Sequence, residues 1–153
     1  MKTILVPIDF SSVSRPVMAA AVVLARAFKG RVVLLHVVQQ PVVINEYDLM
    51  VTDVARMAAG VERAAARHLA ALKKSLERRL PEVTTVCRSG PPVLEILDQA
   101  RKCAADYIVI GSHGHSAFYD LLAGSTASGV LKRSRCPVLV VPPPKIKSAK
   151  SGK

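Results

Sequence analysis

Five short apolar runs, each separated from the next by a stretch of helical periodicity, constrain this chain more than any other feature. The runs are TILVPI (3–8), RVVLLHVV (31–38), VTTVCR (83–88), DYIVIG (106–111) and CPVLVVP (136–142). Their length and their content of β-branched residues predict strands buried on both faces. SRPVMAAAVVLARAFKG reads as a helix with Ser14 as N-cap, Pro16 in the first turn and Gly30 after a basic last turn. A long amphipathic helix ends near Leu80, before Pro81; PVLEILDQARKCAA and STASGVLKRSR supply two more. Strands joined by helical crossovers run parallel, because each crossover returns the chain to the same end of the sheet. The order βαβαβαβαβ therefore predicts an α/β fold: a doubly wound, open, parallel five-stranded sheet covered on both faces.

At 153 residues the chain suits one domain. No segment approaches the 18 or so consecutive apolar residues of a membrane helix. Asp9, two serines and Arg15 interrupt the N-terminal apolar stretch, so it does not read as a signal peptide. The expectation is a soluble cytoplasmic protein with no transmembrane segment. Cys87, Cys103 and Cys136 are odd in number and widely spaced, which predicts unbridged thiols rather than a zinc or redox site.

Net charge is +11. Lys145, Lys147, Lys150 and Lys153 fall in the closing KIKSAKSGK, which has no apolar periodicity; residues 144–153 are expected to be a disordered basic tail after a domain spanning 1–143. On the long helix Arg63, Arg67, Lys74 and Arg78 fall within an arc of about 60°. Val61, Leu69, Leu72, Leu76 and Leu80 form the opposite, core-facing side. A basic outer face is usually only solvated; with no interleaved aromatics, nucleic acid is an unfavoured partner.

Open parallel sheets bind ligands at the carboxyl ends of their strands, where strand order reverses. Two such ends stand out. VPIDFSS puts Asp9, Ser11 and Ser12 at the mouth of the first strand. GSHGHSAFYDLLAGST, after the fourth, holds three of the chain's 8 glycines: Gly111, Gly114 and Gly124. Glycines at 111 and 114 remove bulk, permit positive φ and let backbone amides approach an anion. Gly124 leads through Ser125 and Thr126 into a helix whose first N–H groups are unpaired, a site for phosphate. Taken singly, each feature has a structural reading: a turn, an N-cap, a solvated loop. Together they favour a nucleotide site. His36 and His68 read as packing residues, and His115 and Asp120 as loop residues, although Asp120 has the chemistry to help hold Mg²⁺.

The spacing G-x2-G-x9-G-[S/T] at Gly111, Gly114, Gly124 and Ser125 resembles the universal stress protein family, as do P-x-D-x-S at Pro7–Ser11, LHV at Leu35–Val37 and the closing CPVLVVP. The resemblance spans residues 2–142. It implies a Rossmann-like, adenine nucleotide alpha hydrolase-like fold with strand order 3-2-1-4-5 and a switch point between strands one and four. Resemblance to the ATP-binding branch implies roles for individual residues. Asp9 would contact the adenosine, with Pro7 and Ile8 also among the nucleotide-binding positions; Val37 would hydrogen-bond adenine through its backbone, and Gly111 would lie by the ribose. His113 and Gly114 would approach the phosphates, which Gly124, Ser125 and Thr126 would hold; Mg²⁺ would accompany ATP. The family also implies a homodimer through the C-terminal edge strand. Gly129, inside a helix, costs about 1 kcal/mol relative to Ala unless close packing requires it.

The chain lacks the G-x4-G-K-[S/T] lysine of phosphate-clamping NTPases, and shows no paired carboxylates, no nucleophile with a spaced base and no metal constellation. Binding is thus favoured over catalysis, and the resemblance implies binding of a nucleotide with a stress-response role. The alternatives are a slow ATPase or phosphoryl-transfer enzyme, and a basic module for nucleic acid or a membrane surface.

Overall fold

β-branched density places the strands and glycine or proline ends them. The computed structural model describes residues 1–39, 51–113 and 123–144, with 51–55 described as helical backbone only. In chain order the elements are β1 (Thr3–Pro7), α1 (Ser14–Ala27), β2 (Arg31–Val38), α2 (Val51–Glu77), β3 (Val83–Ser89), α3 (Pro92–Lys102), β4 (Tyr107–Gly111), α4 (Ser125–Arg133) and β5 (Val138–Val141). The five strands form one sheet in the order β3-β2-β1-β4-β5, and every neighbouring pair is parallel.

Alternating side chains divide the core between the two faces of the sheet. Ile4, Val6, Val32 and Leu34 pack under α1 and α2 with Val17, Val22, Leu69 and Leu76. Leu5, Val33, Leu35 and Ile108 pack under α3 and α4 with Ile96, Ala127 and Val130. Fully burying such a side chain stabilises the fold by about 1.5–3 kcal/mol. Because β1 is central and apolar on both faces, TILVP is buried at every position.

Several local expectations change. The N-cap of α1 is Val13, not Ser14, and no side chain caps it, because the Ser14 hydroxyl is engaged with Asp9 Oδ1 at 3.3 Å. Val61 is 52% exposed rather than core-facing, and Ala65 takes a buried place instead. The reason is length: a 27-residue helix spans about 40 Å, whereas the 7-residue β3 spans about 23 Å. Glu62 already meets Ser89, the last residue of β3, at 2.7 Å, so the helix overhangs the sheet before that point. Arg78 lies past the end of α2, in the turn that closes it. His68 is exposed on α2 and meets Phe10 edge-on, so it is not enclosed by core. Gly129 is explained by packing: a Cβ there would stand 2.8 Å from Val93 Cγ2 across the α3–α4 contact.

The three cysteines are unbridged and half-buried, and burial pushes the Cys87 and Cys103 thiols above their ordinary value. Among the described residues no helix is long and apolar enough to cross a membrane, and no three His, Cys, Asp or Glu side chains cluster to hold a metal. Gly114, His115, Asp120, residues 40–50 and the tail lysines lie outside the described residues.

Candidate functional site

The chain leaves the sheet after β1, and that departure opens the site. The Ile8 amide still donates to Leu35 O at 2.8 Å. In a continuing parallel ladder the Ile8 carbonyl would next accept from the Val37 amide. Instead it lies 2.9 Å from His36 Nδ1, which must therefore carry the proton. Backbone groups alternate along a strand: Leu35 O points to β1, and Val38 O points to β3, where it accepts from Gly90 N at 3.0 Å. Val37 shares the parity of Leu35. Its N–H and C=O thus face the space β1 has vacated, offering one donor and one acceptor side by side.

Phe10 turns this corner at φ 62, a left-handed torsion uncommon for a bulky residue. Its ring is held 4.3 Å from the His36 ring and 5.1 Å from that of His68. Asp9, just before the corner, accepts from the Ser11 amide at 3.0 Å and from the Ser14 hydroxyl, which orients its carboxylate at the mouth of β1. The residue is thus both a turn-former and a cleft residue.

The second wall begins at the end of β4. Gly111 does not adopt the positive φ that the sequence suggests. What it supplies is space: a Cβ there would lie 2.8 Å from Val13 Cγ1 and 3.2 Å from His113 O. Ser112 is buried; its amide donates to Val141 O at 2.8 Å and its hydroxyl lies 3.0 Å from His113 Nδ1. Ser112 O then accepts from Gly124 N at 2.6 Å, which anchors the start of α4 against the end of β4. Gly124 is the N-cap of α4, at φ -66 and ψ 170, and no side chain caps the helix. Neither Ser125 nor Thr126 is the N-cap, since both lie within the helix. Its first helical donor is Ser128, to Gly124 O at 2.9 Å. The amides of Ser125, Thr126 and Ala127 have no intrahelical acceptor, and they concentrate the positive end of the helix dipole.

These walls enclose one cleft of about 430 Å³, within the range of small-molecule sites. Pro7, Ile8, Asp9, Val37, Gly111, His113, Gly124, Ser125 and Thr126, all singled out from the sequence, line it together. Gly114 lies outside the described residues. The sequence reading missed Val13, Ser14, Gln39, Pro92 and Ile96, which also line it. Pro92 and Ile96 stand one turn apart where α3 starts at the carboxyl end of β3, a placement the topology alone offers. Volume does not single this cleft out, because a groove of about 420 Å³ lies near the amino ends of β4 and β5. Backbone chemistry does. One end presents the Val37 donor–acceptor edge over apolar walls, and the other presents orphan amides, two hydroxyls and His113. No Lys or Arg is among the described lining residues, so charge on a ligand would be met by amide dipoles and hydroxyls.

Comparison with known proteins agrees with this fold. The sequence model of the universal stress protein family matches residues 1–142. The universal stress protein MJ0531 of Methanocaldococcus jannaschii is 32% identical over 145 residues, covering 94% of this chain and 84% of the relative. MJ0577 of the same organism is 32% identical over 157 residues, covering 92% and 94%. A solved structure of MJ0577 superposes with a TM-score of 0.80 at 29% identity, over 95% of this chain and 98% of that one. A universal stress protein solved in complex with cAMP shares the fold, with a TM-score of 0.63 at 21% identity over 92% of this chain and 96% of that one. The chain belongs to the universal stress protein family.

Proposed function

We propose that this protein binds ATP, with Mg²⁺, in the cleft between β1 and β4, and acts as a cytoplasmic stress-response regulator through nucleotide-dependent conformation or partner choice. The observation that carries the reading is the pairing of two unsatisfied backbone features in one cleft: the Val37 edge and the uncapped start of α4. A purine edge needs adjacent donor and acceptor groups, and a phosphate chain needs converging N–H donors. Asp9 lines the same cleft and offers a carboxylate that can accept from a ribose hydroxyl, while Gly111 lets Val13 and His113 close in at the end of β4. The cAMP complex of a family member supports an adenine nucleotide as the ligand class. Binding, rather than turnover, suits a cleft whose only described carboxylate is already engaged with Ser11 and Ser14.

The deciding experiment is isothermal titration with ATP and Mg²⁺, comparing the wild type with Ser125→Asp. A carboxylate at the first helical position improves helix stability by about 0.3–1 kcal/mol, yet it repels a phosphate docked on the same amides. Melting temperature should therefore hold or rise while affinity falls at least about tenfold. Absence of heat at high protein concentration, or undiminished affinity in Ser125→Asp, would overturn the reading.

Homodimerisation belongs to the same proposal. β5 has four residues, is paired among the described residues on one side only, by β4, and carries Leu139 44% exposed. Such an edge is a template for a second copy. The domain is taken to end at residue 143, before the basic tail.

A further inference from the structure

We propose that the outer face of α2 is a docking surface for an anionic phospholipid bilayer. Arg56, Arg63, Arg67 and Lys74 are all exposed. At 100° per residue they fall within about 40° of one line, and at 1.5 Å per residue that line is straight for about 27 Å. Among the described residues none of the four has a carboxylate partner: Glu77 pairs with Lys73, and Glu62 is drawn aside to Ser89. Between 56 and 78 the sequence holds six cations against those two carboxylates. Arg78, in the closing turn, extends the charge beyond the helix.

Two features favour a bilayer over nucleic acid. A straight row of cations meets a plane along its whole length, whereas duplex phosphates wind round a cylinder with a repeat of about 34 Å, so a rigid helix lying across them touches few. No aromatic residue occurs between 51 and 77 to stack on bases. The apolar face of α2 stays in the protein core, so the contact is peripheral and electrostatic. Each cation near an anionic surface multiplies binding by about fivefold.

The test uses the full chain and sedimentation with vesicles of phosphatidylcholine alone or with phosphatidylglycerol added. Binding should be at least about 100-fold stronger to the anionic vesicles, and should fall steeply with added salt. The triple variant Arg63→Glu/Arg67→Glu/Lys74→Glu should lose at least that factor while circular dichroism and unfolding stay normal. The tail variant with Lys145, Lys147, Lys150 and Lys153 changed to Gln should keep most of the binding. Equal affinity for both vesicle types would overturn the proposal, as would loss confined to the tail variant. Tighter binding of a short DNA duplex than of anionic vesicles at the same salt would overturn it too, assigning the stripe to nucleic acid instead.

Discussion

Replacing His36 by leucine tests how the cleft is kept open. The ring does two things in the structure: its Nδ1–H satisfies the Ile8 carbonyl, and its face supports Phe10 at a left-handed torsion. Leucine keeps much of the volume and removes both. A buried carbonyl left without a donor costs about 1–3 kcal/mol, and loss of the ring pair costs about 0.5–1.5 kcal/mol more. For a chain of this length each 1 kcal/mol lowers Tm by about 2–4 °C, so a fall of roughly 3–18 °C is expected by calorimetry. One compensation exists, since the Ile8 carbonyl can turn onto the Val37 amide and resume the ladder. That repair occupies the donor assigned to adenine. Any stability recovered should then appear as weaker ATP binding, about tenfold for one lost hydrogen bond, with binding of inorganic tripolyphosphate unchanged. His36→Asn, which returns a donor without the ring, should recover part of both. If His36→Leu matched the wild type in melting temperature and in ATP affinity together, the account of this corner would be wrong.

Gly129→Ala should destabilise by about 1–2 kcal/mol in urea unfolding, because its Cβ would overlap Val93 while the helix gains only about 1 kcal/mol. In a Val93→Ala background the same substitution should stabilise, and a change of equal sign in both backgrounds would contradict the packing argument. Asp106 is held below the ordinary aspartate value of 3.8 by hydrogen bonds from Lys2 Nζ and the Thr3 amide, and Asp98 is held low by Lys102 and Arg101. Both contributions are present above pH 3.8 and are lost as pH falls through the lower folded values. Lys2 is raised above 10.5 by Asp106, so its contribution is present below that pH and lost as pH rises through the folded value. Asp106→Asn should flatten both limbs of a stability–pH profile, leaving the Asp98 part of the acid limb; identical profiles would refute the assignment. Wild-type protein should elute as a dimer by light scattering, and Leu139→Lys on the β5 edge should shift it to monomer.

The strands were legible because a central parallel strand must be apolar on both faces, and TILVP and YIVIG have no other folded use. Strand order was not readable from composition or periodicity; it came with the resemblance carried by the glycine spacing and LHV. Val61 was misread because helical phase reports which way a residue points, not whether a sheet still lies beneath it. Gly111 was read for its torsion, whereas what the fold uses is the absent Cβ against Val13. The Val37 edge depends on where β1 bends away, and that is set by His36 and Phe10 acting across the sheet from the cleft. No local pattern reports such a contact. Phe10 itself carried no signal, because its strained torsion is sustained only by ring packing that exists once the chain is folded.

Backbone amide spectroscopy of the labelled protein titrated with ATP and Mg²⁺ addresses the central claim most directly. The expected result is saturable shifts of Val37, Gly111, Gly124, Ser125 and Thr126 together, with Ala104 and Ala105 at the opposite end of the sheet unmoved. Shifts confined to Arg63, Arg67 and Lys74 would show a polyanion resting on α2 and contradict a nucleotide site in the cleft.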